Sequence, residues 1–175
     1  MDVINIEIKA RCDQPEKIRG ILNSRNARFE GTDHQVDTYF RVNKGRLKLR
    51  EGNIENNLIY YKRDNVSGPK QSDCRIMPAT PGSQLKKILT DALGVLAVVD
   101  KQREIYYIEN IKIHIDIVEN LGSFVEIEAS DQDTDITVAQ LHKQCEELMK
   151  AMQIDTGDLE SRSYSDLMLT EETDG

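Results

Sequence analysis

The segment His114–Glu128, H-I-D-I-V-E-N-L-G-S-F-V-E-I-E, contains two alternating runs of residues on either side of a turn. Apolar and charged residues alternate in each run, which is typical of β-strands because successive side chains point to opposite faces. Gly122 favours a tight turn between the runs, since glycine adopts backbone angles that other residues avoid. The alternation predicts that Asp116, Glu126 and Glu128 share one polar face, where their mutual repulsion requires a compensating cation or basic group.

The same alternation recurs through the rest of the chain and predicts about eight strands joined mostly by hairpins. Helical spacing of apolar residues, with capping residues and terminal glycines, predicts three or four helices. The remaining strands are predicted at residues 3–11, 36–42, 46–50, 58–63, 73–77 and within 95–108, and the helices at 14–25, 81–94, 137–152 and 161–169. We expect a single domain over residues 1–169, followed by a polar C-terminal tail at 170–175.

The overall charge of the chain argues against some classes of binding partner. The chain has 175 residues, a formal net charge of −8 and a pI of about 5.0, which argues against binding to a nucleic acid polymer or to an anionic membrane. Three widely spaced cysteines, Cys12, Cys74 and Cys145, suit a reducing compartment, and no signal-peptide core is evident. We therefore expect a cytoplasmic protein, and the sequence leaves a homodimer possible.

Basic residues nevertheless gather on the polar faces of the predicted strands, which is unusual for an acidic protein. Such a sheet face is suited to holding a polyanion, and if the sheet closes into a barrel its interior becomes a charged tunnel covered outside by helices. Carboxylates beside phosphate-binding groups are explained if they hold Mg²⁺ or Mn²⁺, because these hard cations take oxygen ligands and bridge to phosphates. The basic residues on these faces are Lys9, Arg11, Arg46, Lys48, Arg50, Lys62, Arg75, Lys101, Arg103 and Lys112.

Three motifs together resemble the CYTH-domain superfamily of class IV adenylate cyclases, thiamine triphosphatases and inorganic triphosphatases. They are the run Lys101-Gln102-Arg103-x-Ile105-Tyr106, the segment His114–Glu128, and Arg162-Ser163-Tyr164 before apolar residues. Their order is most similar to the class IV adenylate cyclase branch. The resemblance implies an α+β fold, namely an eight-stranded antiparallel closed β-barrel (the triphosphate tunnel) with helices packed on its outside.

The resemblance also implies roles for individual residues. The family begins with an E-x-E-x-K strand, whereas this chain has Asn5-x-Glu7-x-Lys9, so that a neutral amide replaces the first carboxylate. The implied metal ligands are Glu7, Asp116, Glu126 and Glu128, and the implied catalytic residues are Glu7, Lys9, Glu126 and Glu128. The implied phosphate-binding residues are Lys9, Lys48, Arg50, Lys62, Arg75, Lys101 and Arg103.

Three functions follow from this resemblance. The first is a Mg²⁺- or Mn²⁺-dependent class IV-like adenylate cyclase, which converts ATP to cyclic AMP and pyrophosphate. The second is a hydrolase of inorganic triphosphate or of an organic triphosphate such as thiamine triphosphate. The third is a non-catalytic triphosphate-binding protein, because Asn5 removes one negative charge from the implied metal site.

Overall fold

The computed structural model describes residues 1–174 and contains eight antiparallel strands that close into a barrel. Around the barrel the order is β1-β5-β4-β3-β2-β6-β7-β8, and β8 pairs back with β1. The predicted fold class is therefore confirmed. The strands are β1 (Asp2–Arg11), β2 (Arg28–Phe40), β3 (Arg46–Gly52), β4 (Asn56–Arg63), β5 (Lys70–Pro78), β6 (Val95–Ile108), β7 (Ile111–Val118) and β8 (Gly122–Ser130).

Four helices pack on the outside of the barrel: α1 (Pro15–Ser24), α2 (Leu85–Leu93), α3 (Val138–Ala151) and α4 (Tyr164–Asp174). The main apolar core lies between the outer face of β1, β7 and β8 and the helices α1 and α3. Ile8 and Ile127 from the strands and Leu141 from α3 are fully buried there. No helix within residues 1–174 is both long enough and apolar enough to cross a membrane.

The hairpin predicted from His114–Glu128 is present as β7 and β8. His114 lies opposite Glu126 across the two strands, and Lys112 lies opposite Glu128. Gly122 adopts a positive φ of 99° at the turn, as expected for a position that favours glycine. On the other side of β8, Glu126 lies opposite Lys9 of β1, so the hairpin places its carboxylates beside the basic residues of the first strand.

The two largest differences from the predicted boundaries are in β2 and α4. The strand β2 begins at Arg28 rather than at residue 36, because its polar first half pairs with β6 from Arg28 opposite Tyr107 onward, with a bulge at Gly31. The helix α4 continues to Asp174, through residues assigned above to a polar tail. No glycine or proline interrupts that stretch, and the hydroxyl of Thr170 donates to the carbonyl of Asp166 one turn earlier. Gly175 lies outside the described residues.

Candidate active site

The interior of the barrel contains a cavity of about 490 Å³, a volume suited to a small-molecule ligand. Charged side chains of both signs reach it from most strands, because every second residue of a strand points inward. Most of these groups are largely shielded from solvent, where electrostatic interactions are stronger than in water. The basic lining residues are Lys9, Lys48, Arg50, Arg63, Lys101, Arg103 and Lys112, and the acidic ones include Glu7, Glu55, Glu109, Glu126 and Glu128.

Asp37 of β2 organises the basic residues on one side of this cavity. Its fully buried carboxylate accepts two hydrogen bonds from the Arg50 guanidinium, at 2.9 and 2.8 Å, and one from Lys101 at 2.8 Å. Lys48 lies 3.2 Å from the same group. Burial alone would raise the pKa of Asp37, but Arg50 and Lys101 outweigh burial and hold that pKa well below its usual range. One carboxylate thus serves three cations, which leaves this side of the cavity with excess positive charge.

Lys101 shows the effect of this excess charge most clearly. Its burial, reinforced by the neighbouring charges of Arg103, Arg50 and Lys48, outweighs the attraction of Asp37 and lowers the pKa of Lys101 to about 7. An anion bound in the cavity would favour the protonated amine again. Lys101 is therefore positioned to respond to a polyanionic ligand, which agrees with its predicted phosphate-binding role.

Arg103, two residues after Lys101 on β6, is held by Asp116. The two guanidinium nitrogens Nε and Nη2 donate to Asp116 at 2.7 and 2.6 Å, and the hydroxyl of Tyr164 donates to the same carboxylate at 2.7 Å. Asp116 has no solvent exposure and does not line the cavity. The assignment of Asp116 as a metal ligand is therefore corrected, because its oxygens already accept hydrogen bonds from Arg103 and Tyr164 and it orients Arg103 instead.

Glu126 lies between several basic groups at the centre of the cavity. Its carboxylate is 3.3 Å from Arg103, 3.3 Å from the His114 ring nitrogen Nδ1 and 3.9 Å from the Lys9 ammonium. Burial would raise the pKa of Glu126, but Arg103 and the hydrogen bond from His114 outweigh burial and hold the pKa well below its usual range. Burial also lowers the pKa of Lys9 to about 8, and Lys9 donates to the carbonyl of Arg162 at 3.0 Å.

The strand β4 places Arg63, and not Lys62, inside the barrel. Arg63 donates to Glu7 at 2.6 Å through Nη1, while its Nε and Nη2 are buried without a hydrogen-bond partner among residues 1–174. Lys62 is exposed on the outer face. The residue of β4 that faces the cavity is thus Arg63 and not the predicted Lys62, because adjacent residues of a strand face opposite sides of the sheet. Arg63 was missed, and it lies two residues from Tyr61, which also lines the cavity.

Arg75 also lies outside the cavity. Its side chain is 73% exposed and its Nε lies 3.3 Å from Asp2. Its neighbour Cys74 lines the cavity instead. The phosphate-binding prediction for Arg75 is therefore corrected for the same reason as that for Lys62.

Three of the predicted metal ligands face the cavity together, on neighbouring strands. Glu7 lies opposite Glu128 across β1 and β8, with Glu126 two residues away. Among residues 1–174, Glu128 has neither an ion pair nor a hydrogen bond through its side chain, and burial together with Glu7 and Glu126 raises its pKa despite the opposing effect of Lys112. No group of three acidic, histidine or cysteine side chains in this part of the chain is close enough to hold a metal ion as it stands. Carboxylate oxygens facing one another, one of them without a partner, nonetheless suit a hard divalent cation.

Asn5 occupies the position of the missing carboxylate. Its amide nitrogen lies 3.7 Å from the sulfur of Cys74, and its oxygen Oδ1 is buried without a hydrogen-bond partner among the described residues. An unpaired buried amide oxygen is unfavourable unless a ligand or water satisfies it. The position therefore still presents an oxygen to the cavity, but a neutral one.

Comparison with known protein families identifies the family of this chain. The family model described as the CYTH domain matches residues 3–164. The chain belongs to the CYTH domain family. The match includes all eight strands and hence every cavity-lining residue discussed above.

Individual relatives agree with this assignment. A CYTH relative from Methanocaldococcus jannaschii, named as a candidate adenylate cyclase, is 28% identical over 176 residues, covering 94% of this chain and 98% of the relative. A conserved protein from Pyrococcus furiosus has a solved structure with a TM-score of 0.78 at 21% identity, covering 93% and 99% of the two chains. A candidate adenylyl cyclase from Hippeastrum, described as having a dominant triphosphatase activity, gives a TM-score of 0.60 at 16% identity, covering 99% and 96%.

Proposed function

We propose that this CYTH protein is a metal-dependent enzyme of the class IV adenylate cyclase type, which converts ATP to cyclic AMP and pyrophosphate. The observation that carries the proposal is a cavity inside the barrel with excess positive charge on its Asp37 side, in which buried donors of Arg63 have no partner among residues 1–174. The name of the relative from M. jannaschii favours the cyclase within the triphosphate-processing family. We also expect a cytoplasmic location, which suits three cysteines that are buried and unpaired.

The roles of the residues follow from their charge and position. Lys9, Arg63 and Arg103 would bind phosphate oxygens, since guanidinium and ammonium groups match them in charge and donor geometry. Mg²⁺ or Mn²⁺ held by Glu7, Glu126 and Glu128 would stabilise the charge that develops on the phosphate undergoing transfer. Lys48, Arg50 and Lys101 would hold the rest of the phosphate chain, while Asp37 and Asp116 position the basic groups.

A triphosphatase is the second candidate. The same cavity could present a terminal phosphorus to water instead of an α-phosphorus to the ribose hydroxyl. The Hippeastrum protein, described as dominantly a triphosphatase, favours this reading only through its fold. Inorganic triphosphate and thiamine triphosphate are the substrates to compare.

A triphosphate-binding protein without turnover is the third candidate, and Asn5 is the observation that favours it. The substitution Asn5→Glu restores the fourth carboxylate of the family motif. A gain in turnover of about tenfold or more would indicate that the neutral residue limits metal binding. Unchanged turnover in an already active protein would show that the amide suffices, and calorimetry with Mn²⁺ alone would report the affinity change directly.

The proposed activity is tested by product analysis. The protein is incubated with ATP, tripolyphosphate or thiamine triphosphate, in Mg²⁺ and in Mn²⁺, and cyclic AMP, pyrophosphate and orthophosphate are separated. We expect cyclic AMP and pyrophosphate in equal amounts from ATP. Orthophosphate from a triphosphate without any cyclic AMP would instead assign a triphosphatase, and binding without any product would assign the third candidate.

A further inference from the structure

The turn between β3 and β4 directs Glu55 into the cavity. Asp33, which is fully buried, accepts hydrogen bonds from the backbone N–H groups of Ile54 and Glu55, each at 2.9 Å. Gly52 permits this approach, because a Cβ at that position would lie 2.7 Å from an oxygen of Asp33 and 2.7 Å from the carbonyl oxygen of Glu55. The turn is thus held against the barrel, and Glu55 is fixed by backbone contacts rather than free to swing outward.

The Glu55 carboxylate is bound within the cavity as an anionic ligand would be. Its Oε2 accepts from Arg50 at 3.1 Å and from Gln35 at 3.2 Å, and its Oε1 pairs with the Lys112 ammonium. Burial alone would raise the pKa of Glu55, but Lys112 and Arg50 outweigh burial and hold that pKa well below its usual range. Glu55 is therefore ionised at neutral pH and forms ion pairs with two cations that face the cavity.

Glu55 lies at one end of the barrel, where its nearest charged partners are the cations Arg50 and Lys112. Glu109 and Asp133 line the cavity near the same end, between β6 and β7 and after β8. At the opposite end, the ends of β1 and β4 contribute Lys9 and Arg63. A phosphate chain bound along the basic residues would therefore meet the Glu55 carboxylate if it extended past Arg50.

We propose that Glu55 limits the length of the phosphate chain that the cavity accepts, by holding with its own carboxylate the place beside Arg50 and Lys112 that a further phosphate would take. This inference rests on the proposed function, because it concerns the same cavity. It assigns a specificity-determining role to a residue outside the predicted phosphate and metal ligands.

Titration calorimetry with tripolyphosphate and with tetrapolyphosphate tests this inference on the full chain and on Glu55→Gln. In the wild type we expect the longer anion to bind no more than about twofold tighter, because the additional phosphate has no free cation. In Glu55→Gln, which keeps the shape but removes the charge, tetrapolyphosphate affinity should rise on the order of tenfold relative to tripolyphosphate. Thermal melts establish that the variant is folded.

Glu109→Gln is the matched control, because Glu109 is an exposed residue that lines the same cavity without an ion pair among residues 1–174. It removes one negative charge and should change both affinities by the same factor. The inference would be overturned if the ratio of tetrapolyphosphate affinity to tripolyphosphate affinity were the same in Glu55→Gln as in Glu109→Gln.

A wild type that already binds tetrapolyphosphate more than about tenfold tighter would also overturn it, even if Glu55→Gln did not fold. These two outcomes leave the proposed function intact. Absence of any tripolyphosphate binding by the wild type, in contrast, would overturn the proposed function and the inference together.

Discussion

At the residue scale, the properties of the cavity depend on how its buried cations share carboxylates. Asp37 pairs with Lys48, Arg50 and Lys101 on one side of the barrel, and Glu55 also pairs with Arg50. Three cations that share two carboxylates lose solvation without full compensation, so an anionic ligand would be bound more strongly here than at an exposed surface.

Lys101 should make anion binding depend on pH. A bound phosphate chain raises the pKa of Lys101 from about 7, so binding takes up a proton once the pH exceeds that value. Affinity for tripolyphosphate should therefore fall between pH 7 and 8 by at most a factor of about 10, before Lys9, whose pKa is about 8, adds its own loss of charge. Calorimetry on Lys101→Arg, which stays charged, should remove most of this slope, and the titration of the ligand itself cancels in the comparison. Parallel pH curves for the two proteins would contradict the role of Lys101.

Tyr164 should contribute to stability through Asp116. The substitution Tyr164→Phe removes the 2.7 Å hydrogen bond to the buried carboxylate and should lower the free energy of unfolding by about 1–3 kcal/mol. Tyr107→Phe is the control, because the Tyr107 hydroxyl makes no hydrogen bond among the described residues, and it should cost less than about 0.5 kcal/mol. Chemical denaturation measures the free energy of unfolding of both variants. Equal decreases would show that the hydrogen bond from Tyr164 to Asp116 does not contribute to stability.

The inward placement of individual residues could be predicted from sequence where alternation was clear. Glu126 and Glu128 lie at the cavity as the hairpin pattern predicted, and Lys9 and Arg103 also reach it. Lys62 was misplaced because its strand is apolar or aromatic on both faces, so that alternation there does not distinguish inside from outside. The buried Asp116 carboxylate accepts a hydrogen bond from Tyr164, which lies nearly fifty residues later in the chain. No local sequence pattern indicates this contact.

At the scale of elements, β-strands carry most of the site, and α4 contributes Tyr164 to it. A strand was predicted within residues 95–108, between Gly94 and the turn at Glu109, and β6 fills that whole range. The first half of β2 was not predicted, because Arg28–Gln35 is polar and owes its extended structure to pairing with β6. Local patterns therefore locate strands with one apolar face, but not strands stabilised mainly by their neighbours.

The turn between β3 and β4 should tolerate no side chain at Gly52. Gly52→Ala forces a Cβ to within 2.7 Å of Asp33 and of a backbone carbonyl, so it should destabilise the protein by about 1–3 kcal/mol. Gly20→Ala in α1 provides the opposite case, because nothing lies within 4 Å of its Cβ and alanine favours helix, so it should stabilise by about 0.5–1 kcal/mol. Thermal and denaturant unfolding compare the two variants, and a neutral Gly52→Ala would show that the turn is not held as described.

At the scale of the whole molecule, seven basic side chains line the interior of a protein whose net charge is negative. The net charge of −8 lies mainly on the outer surface. Because salt screens exposed charges, their repulsion of an anionic ligand inside the barrel is weaker than the total charge would suggest. Tripolyphosphate should therefore raise the melting temperature, since a ligand that binds only the folded state stabilises it by about 2.7 kcal/mol at a concentration of 100 times Kd. Sulfate at the same ionic strength serves as the control, and equal shifts would indicate a salt effect alone.

The adjacent residues Lys62 and Arg63 offer the most direct test of a phosphate-binding interior. They carry the same charge on the same strand, but Arg63 faces the cavity and Lys62 faces solvent. Titration calorimetry with tripolyphosphate should show that Arg63→Ala loses about tenfold or more in affinity, whereas Lys62→Ala stays within about twofold of the wild type. Equal losses in the two variants, or a loss confined to Lys62→Ala, would contradict the account.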